Sequence, residues 1–273
     1  MTVAVKTPDA EQAAGARIPP GKVVLVGAGP GVPDLLTVRA VARIRAADVL
    51  VYDRLIQNGA LALARPSAEK IYMGKEPGLH TRLDEIHALL VKKAREGKMV
   101  VRLKGGDPFL FGRGGEEVEY LAEHGIPFEV VPGVSSCLSA PLSAGIAVTH
   151  RESSSAVAIV TGHNADGREG CVDWQAVARI GTAVFLMGVH NIDAIARTLI
   201  AAGRSPATPA AMIQAAYCED ARVVTATLED IAAQVRRAGI APPATLVVGE
   251  AVRLRERLQK LTAFHAAEIE VGG

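Results

Sequence analysis

The sequence predicts a fold of two α/β domains. Residues 22–26 form a continuous apolar run, typical of a strand buried on both faces, and a glycine loop, a helical pattern and a second apolar run follow it. This βαβ unit predicts a parallel sheet with a right-handed crossover. Further along, strands near 209–214 and 222–226 have no helix between them, which indicates a mixed sheet. The length of 273 residues fits two domains of ordinary size.

The first predicted domain, residues 21–133, alternates strands with helices. Apolar runs predict strands at 22–26, 48–52, 70–75, 99–103 and 127–131. Helical spacing predicts helices at 35–46 and 118–123. Another helix is expected to begin at Thr81, which stands at capping-box spacing from Asp84, and to end near Gly97. The loops that follow the strands of such a sheet meet at its carboxyl edge, where ligands usually bind.

A connecting segment at 134–150 carries a helix of small residues, 135–144, and leads into the second predicted domain at 151–258. Strands are expected near 156–161, 183–188, 209–214, 222–226 and 245–249, with helices near 173–179, 191–202 and 228–238. Residues 1–20 and 259–273 are expected to be mobile tails. The glycine-rich loops of the first domain are expected to face the second domain.

Composition excludes several function classes. A net charge of +1 argues against general nucleic-acid or membrane-surface binding, which usually needs a clear basic excess. The cysteines lie far apart without a CxxC pair, and the histidines lack ligand spacing, so neither a disulfide framework nor a metal site is expected. No apolar run approaches the roughly 20 residues that span a bilayer. These features predict a cytoplasmic protein without a metal.

The stretch from Lys104 to Glu117 is the strongest local candidate for a binding site. It follows a predicted strand, is rich in glycine, and carries charged side chains together with Phe109 and Phe111, which we expect to be buried. Its place after a strand puts it at the ligand-binding edge of the sheet. The alternative interpretation is a glycine-rich, solvated turn.

The glycine loop at 27–31 resembles a dinucleotide-binding fingerprint, with Asp53 in the place of the ribose-binding acid. However, the third glycine of that fingerprint is replaced by Val32, and Pro30 removes an N–H group that would cradle a pyrophosphate. The loop therefore fits a ligand without phosphates better. A nucleotide-binding oxidoreductase remains the alternative from another class.

Other candidate residues also have ordinary structural explanations. Asp53 and Lys75 each follow a strand, and could meet in the site or form a surface ion pair. Arg113 and Glu116 are three residues apart at a helix start, where an intrahelical pair is the alternative. Arg151 could be a solvated linker residue. A methionine in a strand pattern, such as Met187, is more often part of a core.

Five segments together identify a resemblance to a known family. They are VGAGPGVPDLLTVRA at 26–40, VYDRL at 51–55, GK at 74–75, RLKGGDPFLFGRGGEE at 102–117 and VPGVSS at 131–136. In this order they resemble the tetrapyrrole methylases, and the likeness runs from about residue 22 to 258. It implies two α/β domains with an interdomain active-site cleft, of the class III methyltransferase type, usually in a homodimer.

The resemblance also implies a reaction. It is strongest to members that use S-adenosylmethionine to methylate uroporphyrinogen III at C2 and C7, giving precorrin-2 by way of precorrin-1, with S-adenosylhomocysteine as the other product. A different precorrin C-methyltransferase of the same fold is the alternative. The sequence leaves open whether the product feeds sirohaem, cobalamin or haem d1.

Site residues follow from the resemblance position by position. The donor is expected to contact Pro30, Gly106, Asp107, Pro108, Ser136, Cys137, Met187, Ala216 and Ala244. Asp53 and Lys75 match a proton acceptor and a proton donor, and Arg113, Glu116 and Arg151 match positions that hold the tetrapyrrole. The base could be Asp53, Glu116 or Arg113 held neutral. Arginine almost never loses its proton, and the charge of Glu116 is favoured at a helix start, so we favour Asp53.

Overall fold

The computed structural model describes residues 21–74, 83–162 and 172–259. Within them the chain forms two five-stranded sheets, both packed against helices, which confirms the predicted α/β class. Lys75 and Thr81 lie outside the described residues, and with them the predicted capping box. None of the helices in the described part of the chain is long and apolar enough to cross a membrane.

The first sheet is entirely parallel, with the strand order β3-β2-β4-β1-β5. Its strands are β1 (Lys22–Gly27), β2 (Val49–Tyr52), β3 (Glu69–Tyr72), β4 (Met99–Lys104) and β5 (Phe128–Val131). Its helices are α1 (Val38–Ala46), α2 (Asn58–Ala62), α3 (Leu83–Arg95) and α4 (Gly114–Glu123). Val24 packs on the side of α1 and α2, and its neighbour Leu25 packs on the side of α3 and α4. Both faces are therefore buried, as the apolar run predicted.

The second sheet is mixed, as predicted, with the order β6-β7-β10-β8-β9. Its strands are β6 (Val157–Thr161), β7 (Thr182–Leu186), β8 (Pro209–Gln214), β9 (Arg222–Thr227) and β10 (Ala244–Val248), and its helices are α5 (Ser136–Ser143), α6 (Trp174–Arg179), α7 (Ile192–Ala201) and α8 (Ile231–Arg237). Only the β6–β7 pairing is parallel among these strands. Helices α6, α7 and α8 cover one face.

Helix α5 covers the other face of the second sheet, where Cys137 and Ala140 pack with Val184 and Val247. This packing associates the connecting segment with the second sheet. We keep the boundaries 21–133, 134–150 and 151–258 as a proposal.

The differences from the predicted elements are local. Helix α1 begins at Val38, three residues later than predicted, because the side chain of Thr37 accepts the N–H of Ala40 at 3.1 Å and caps the helix. Helix α4 begins at Gly114, four residues before its predicted start. Helix α2 was not predicted; it has five residues and no side-chain cap.

Arg204 ties the start of β7 to the end of β10. Its guanidinium donates hydrogen bonds at 2.5–3.3 Å to the carbonyl oxygens of Ala178, Ile180, Gly181 and Val248. Burial lowers the pKa of this guanidinium. A single planar group with several donors thus satisfies four backbone acceptors between two strands.

Candidate active site

Three loops meet at the carboxyl edge of the first sheet, after the adjacent strands β4, β1 and β5. Gly27, Gly106 and Gly133 cross there without room for side chains. A Cβ on Gly133 would stand 2.2 Å from the carbonyl oxygen of Gly106, and one on Gly27 would stand 2.5 Å from the nitrogen of Gly133. Glycine is therefore required for this close backbone approach.

Asp107 holds two of these loops together. Its Oδ1 accepts the N–H of Phe109 at 2.9 Å, and its Oδ2 accepts the N–H of Gly133 at 3.1 Å. The first bond shapes the loop that follows β4, and the second reaches the loop that follows β5. The expected donor-binding residue Asp107 thus has a structural role that the sequence did not reveal.

The first glycine loop is already engaged with its neighbour. Ala28 donates its N–H to the carbonyl of Lys104 at 2.8 Å, and Gly29 exchanges backbone hydrogen bonds with Gly106 at 2.8 and 3.2 Å. Pro30 has no N–H to offer. Positions 28–30 of this loop therefore offer no unbonded N–H to a pyrophosphate, which weighs against the oxidoreductase alternative.

Strained backbone gathers in a few loops. In the part of the chain that the structure describes, the non-glycine residues with a positive φ are Phe111, Arg113, Met187, Ala215 and Tyr217, with values of 46–67°. Two of them lie in the loop after β4, and three lie just after β7 and β8, around the expected donor contacts Met187 and Ala216. Such strain costs on the order of 1 kcal/mol per residue and is commonest at functional sites.

Several expected donor contacts have settings that the sequence did not specify. Half of Met187 is exposed, so it is not the core methionine of the alternative interpretation. Cys137 is buried between α5 and the second sheet, so only its backbone could meet a ligand. Ser136 is the first residue of α5, and Ala244 is the first residue of β10 rather than the residue before it. Pro108 is buried within its own loop.

Contacts between the two halves bring these loops near one another. Leu110, from the loop after β4, packs against the cluster formed by α5 and the second sheet. Gln57 donates a hydrogen bond to the sulfur of Cys218 at 2.8 Å, which links the region after β2 to the strained turn after β8. The expected donor contacts of both sheets therefore border a shared region.

Asp53 lies directly after β2, at the same edge of the sheet. Its Oδ1 accepts the N–H of Leu55 at 3.1 Å, and its Oδ2 accepts a hydrogen bond from Arg102 at 3.2 Å. Its side chain is 28% exposed. The partner is Arg102 of the neighbouring strand β4. Lys75, the partner considered from the sequence, lies outside the described residues.

The expected tetrapyrrole-binding residues are exposed. Nε of Arg113 donates to Oε2 of Glu116 at 2.6 Å, so the intrahelical pair considered from the sequence does form. Arg151 is exposed on a tight turn that the N–H of His150 closes by bonding to the carbonyl of Ser154 at 2.8 Å. Among the described residues, no contact joins Arg113 or Glu116 to Asp53.

Phe109 and Phe111 are not buried. Phe109 is 58% exposed and Phe111 is 39% exposed, which corrects the expectation from the sequence. The loop that carries them turns at Phe111 through a positive φ. In this loop Leu110, which stands between them, packs inward, and both aromatic rings are exposed.

A buried ionic cluster was missed in the sequence. Nζ of Lys104 lies 2.7 Å from Oε1 of Glu117, and Nε of Arg102 lies 3.5 Å from the same oxygen. Burial lowers the pKa of Lys104, against the opposing effect of Glu117. A signal was available, because two cations two residues apart in a strand share a face.

The residues present fit S-adenosylmethionine. The expected contacts Gly106, Ser136, Ala216 and Ala244 are small, so backbone donors and acceptors stay within reach of the amino-acid and adenosine parts of the donor. Gly106 has a φ of +65°, and the direction of its missing Cβ points toward the start of α5 with 3.7 Å to the nearest atom.

Known proteins resemble the chain along nearly its whole described length. A profile of the tetrapyrrole (corrin/porphyrin) methylases matches residues 22–232. A uroporphyrinogen-III C-methyltransferase of Priestia megaterium is 47% identical over 234 residues, which cover 85% of this chain and 98% of that protein. A siroheme synthase of Methylococcus capsulatus is 50% identical over 240 residues, which cover 87% of this chain and 51% of that protein. The chain thus spans about half the length of the siroheme synthases it matches.

A solved structure is similar in the same way. It is a uroporphyrin-III C-methyl transferase from Thermus thermophilus complexed with S-adenyl homocysteine, with a TM-score of 0.75 and 45% identity. The match covers 86% of this chain and 100% of that chain.

Proposed function

The chain belongs to the tetrapyrrole (corrin/porphyrin) methylase family, and on that premise we propose that it methylates uroporphyrinogen III at C2 and C7 with S-adenosylmethionine. The product would be precorrin-2, made by way of precorrin-1. The observation that carries this proposal is the meeting of the loops after β1, β4 and β5, where Asp107 ties two of them and small residues surround the edge. The likeness to uroporphyrinogen-III C-methyltransferases over 94–98% of their length supports the choice of acceptor.

The protein's main task is to align the donor with the ring carbon, since an in-line displacement depends chiefly on orientation. S-adenosylmethionine, when bound, supplies a methyl group whose bond to sulfur breaks, leaving the electron pair on sulfur, while pyrrole electrons form the new carbon–carbon bond. Backbone groups of Pro30 and Ser136 and the carbonyl of Gly106 would hold the donor, with Met187 and Ala216 on the side of the second sheet. These contacts are proposals from the family resemblance.

Arginine side chains would hold the carboxylates of the tetrapyrrole. Nε of Arg113 donates its hydrogen bond to Glu116, and the two terminal nitrogens make no hydrogen bond within the described residues. These nitrogens form the fork that binds a carboxylate at two points. Arg151, exposed on its turn, would serve another carboxylate. A chain with a net charge of +1 needs only this local positive charge to bind a polyanion.

Asp53 is the base that the geometry favours. After the new bond forms, the ring carries a positive charge and loses a proton, which the Asp53 carboxylate would accept. Counting the described residues alone, each oxygen of Asp53 accepts one hydrogen bond, and each has a further lone pair that could take a proton. Glu116 is bound to Arg113 and would act mainly in substrate binding. The role of Lys75 as a proton donor stays a prediction.

Single-turnover assays separate the two candidate bases. Asp53→Asn keeps the shape but cannot accept the proton, so it should slow methyl transfer while both ligands stay bound. Glu116→Gln should instead weaken tetrapyrrole binding. Full-rate transfer by Asp53→Asn, with binding confirmed, would remove Asp53 from the mechanism.

The class of enzyme can be tested by what the purified protein retains. S-adenosylhomocysteine bound at about one per chain, without nicotinamide, would fit a methylase; bound NAD would favour the oxidoreductase alternative. Val32→Gly should not create NAD binding, because Pro30 still removes an N–H. Tight NAD binding by that variant would contradict this argument.

We also propose that the protein acts as a homodimer in the cytoplasm, as the family resemblance implies. Light scattering of the purified chain should give twice the chain mass of 28.5 kDa. A monomer that methylates at full rate would overturn the dimer proposal.

A further inference from the structure

Arg102 is the third of four charged groups in a row that ends at the candidate base. From the interior outward, the row runs from Lys104 to Glu117 at 2.7 Å, from Glu117 to Arg102 at 3.5 Å, and from Arg102 to Asp53 at 3.2 Å. Lys104, Glu117 and Arg102 have side chains 7%, 1% and 4% exposed, and Asp53 is the member that reaches solvent. Opposite charges alternate, so the row is neutral as a whole.

The position of Arg102 is fixed from several sides. Its Nη1 donates to the carbonyl of Leu103 at 3.0 Å, and its Nη2 donates to Oδ2 of Asp53. Register also sets it beside β2, because Arg102 pairs with Val51, two residues before Asp53. A buried guanidinium held in this way leaves the Asp53 carboxylate little freedom to rotate.

Arg102 and Glu117 form an ion pair at 3.5 Å, but they share no hydrogen bond. Nε of Arg102 and Oε2 of Glu117 are both buried, and neither has a hydrogen-bond partner among the described residues. The side-chain oxygen to which Arg102 does donate is that of Asp53. If Arg102 had only a structural role, we would expect it to donate a hydrogen bond to Glu117, the more buried of its two carboxylate neighbours, because an unpaired buried polar atom is costly.

We propose that Arg102 is a positioning residue that holds the Asp53 carboxylate in the orientation needed to accept the proton during methyl transfer. This inference rests on the proposed function. Lys104 supports the arrangement by holding Glu117, which keeps a negative charge beside the buried guanidinium. His87 on α3 also interacts electrostatically with Glu117, and Arg113 and Glu116 lie at the start of α4, the helix that carries Glu117.

The test is a double-mutant comparison in single-turnover methylation of uroporphyrinogen III. Arg102→Met should lower the rate of transfer about 10- to 100-fold, the effect of a displaced catalytic group. Affinities for S-adenosylhomocysteine and for the tetrapyrrole should stay within about 3-fold. In an Asp53→Asn background the same substitution should cost less than about 3-fold, because residues that act through one another are not additive.

Arg65 provides the matched control. It pairs with Asp48 and donates to the carbonyl of Ala47 at 2.9 Å, before the start of β2 and so at the opposite edge of the same sheet. Arg65→Met should leave the transfer rate unchanged in both backgrounds. Arg102→Lys keeps the charge but loses the planar fork. If Arg102→Met does not fold, the rate losses of Arg102→Lys in the wild-type and Asp53→Asn backgrounds are compared in its place.

An equal loss of rate in both backgrounds, or no loss on replacing Arg102, would overturn the positioning role while leaving the methylase function intact. If the unaltered protein binds S-adenosylhomocysteine but does not methylate uroporphyrinogen III, the proposed function fails, and the positioning role fails with it.

Discussion

Replacing Asp107 by alanine should loosen the crossing of loops on which donor binding depends. The change removes two hydrogen bonds, one to the N–H of Phe109 at 2.9 Å and one to the N–H of Gly133 at 3.1 Å. A hydrogen bond to a charged group contributes about 1.5–3 kcal/mol. Asp107 is half-buried, so water can replace part of these interactions. We therefore expect the free energy of unfolding to fall by about 2–3 kcal/mol.

The loss should appear both in stability and in ligand affinity. We expect S-adenosylhomocysteine, measured by calorimetric titration, to bind about 10-fold or more weakly, which corresponds to about 1.4 kcal/mol. The loss of the two hydrogen bonds should also lower the melting temperature by several degrees. Asp173→Ala is the control, because Asp173 caps α6 through the N–H of Ala176 at 2.9 Å. That variant should have a lower melting temperature and an unchanged affinity for S-adenosylhomocysteine. Wild-type affinity in Asp107→Ala would show that donor binding does not depend on the bonds of Asp107.

Three further predictions concern other parts of the molecule. Arg113→Lys keeps the charge but loses two-point recognition of a carboxylate, so methyl transfer should fall about 10-fold or more with donor affinity unchanged; activity within a few-fold would leave Arg113 only its pairing with Glu116. Arg204→Lys should lower the free energy of unfolding by about 3 kcal/mol, since an ammonium cannot reach all four carbonyls; an unchanged melting temperature would contradict this. Burial lowers the pKa of His87 below its ordinary 6.5, so the unfolded chain binds a proton there more tightly than the folded protein does. The folded protein therefore keeps its full stability above that pH and loses stability as the pH falls below it. His87→Phe should therefore flatten the fall in melting temperature between about pH 7 and about pH 5; the same fall in the variant would assign it to other groups.

The sequence predicted the strands of the first sheet within two or three residues. Runs such as 22–26 are buried on both faces and bounded by glycine, so hydrophobicity and turn residues mark both ends. The same reasoning failed for Phe109 and Phe111, because apolar character does not reveal that a strained loop holds them at the surface. It also missed α2, a short helix without a capping residue.

The partners of the candidate site residues were harder to predict. The donor and tetrapyrrole residues came from family motifs, which give positions without contacts. The sequence offers Lys75 as a possible partner of Asp53, which stays a prediction because Lys75 lies outside the described residues, and it does not reveal the bond from Arg102 to Asp53. That contact depends on the register of β2 against β4, which joins Val51 to Arg102 across the sheet. Register between strands far apart in the chain is not visible in local patterns. The two cations on one face of β4, Arg102 and Lys104, indicate only that carboxylates should lie nearby.

The most direct test of the proposed reaction is to incubate the purified protein with uroporphyrinogen III and methyl-labelled S-adenosylmethionine under anaerobic conditions and to locate the label in the product by NMR. We expect two labelled methyl groups per tetrapyrrole, at C2 and C7, with a singly methylated species at early times. Failure to label uroporphyrinogen III, or transfer only to a ring that is already methylated, would contradict the proposed reaction.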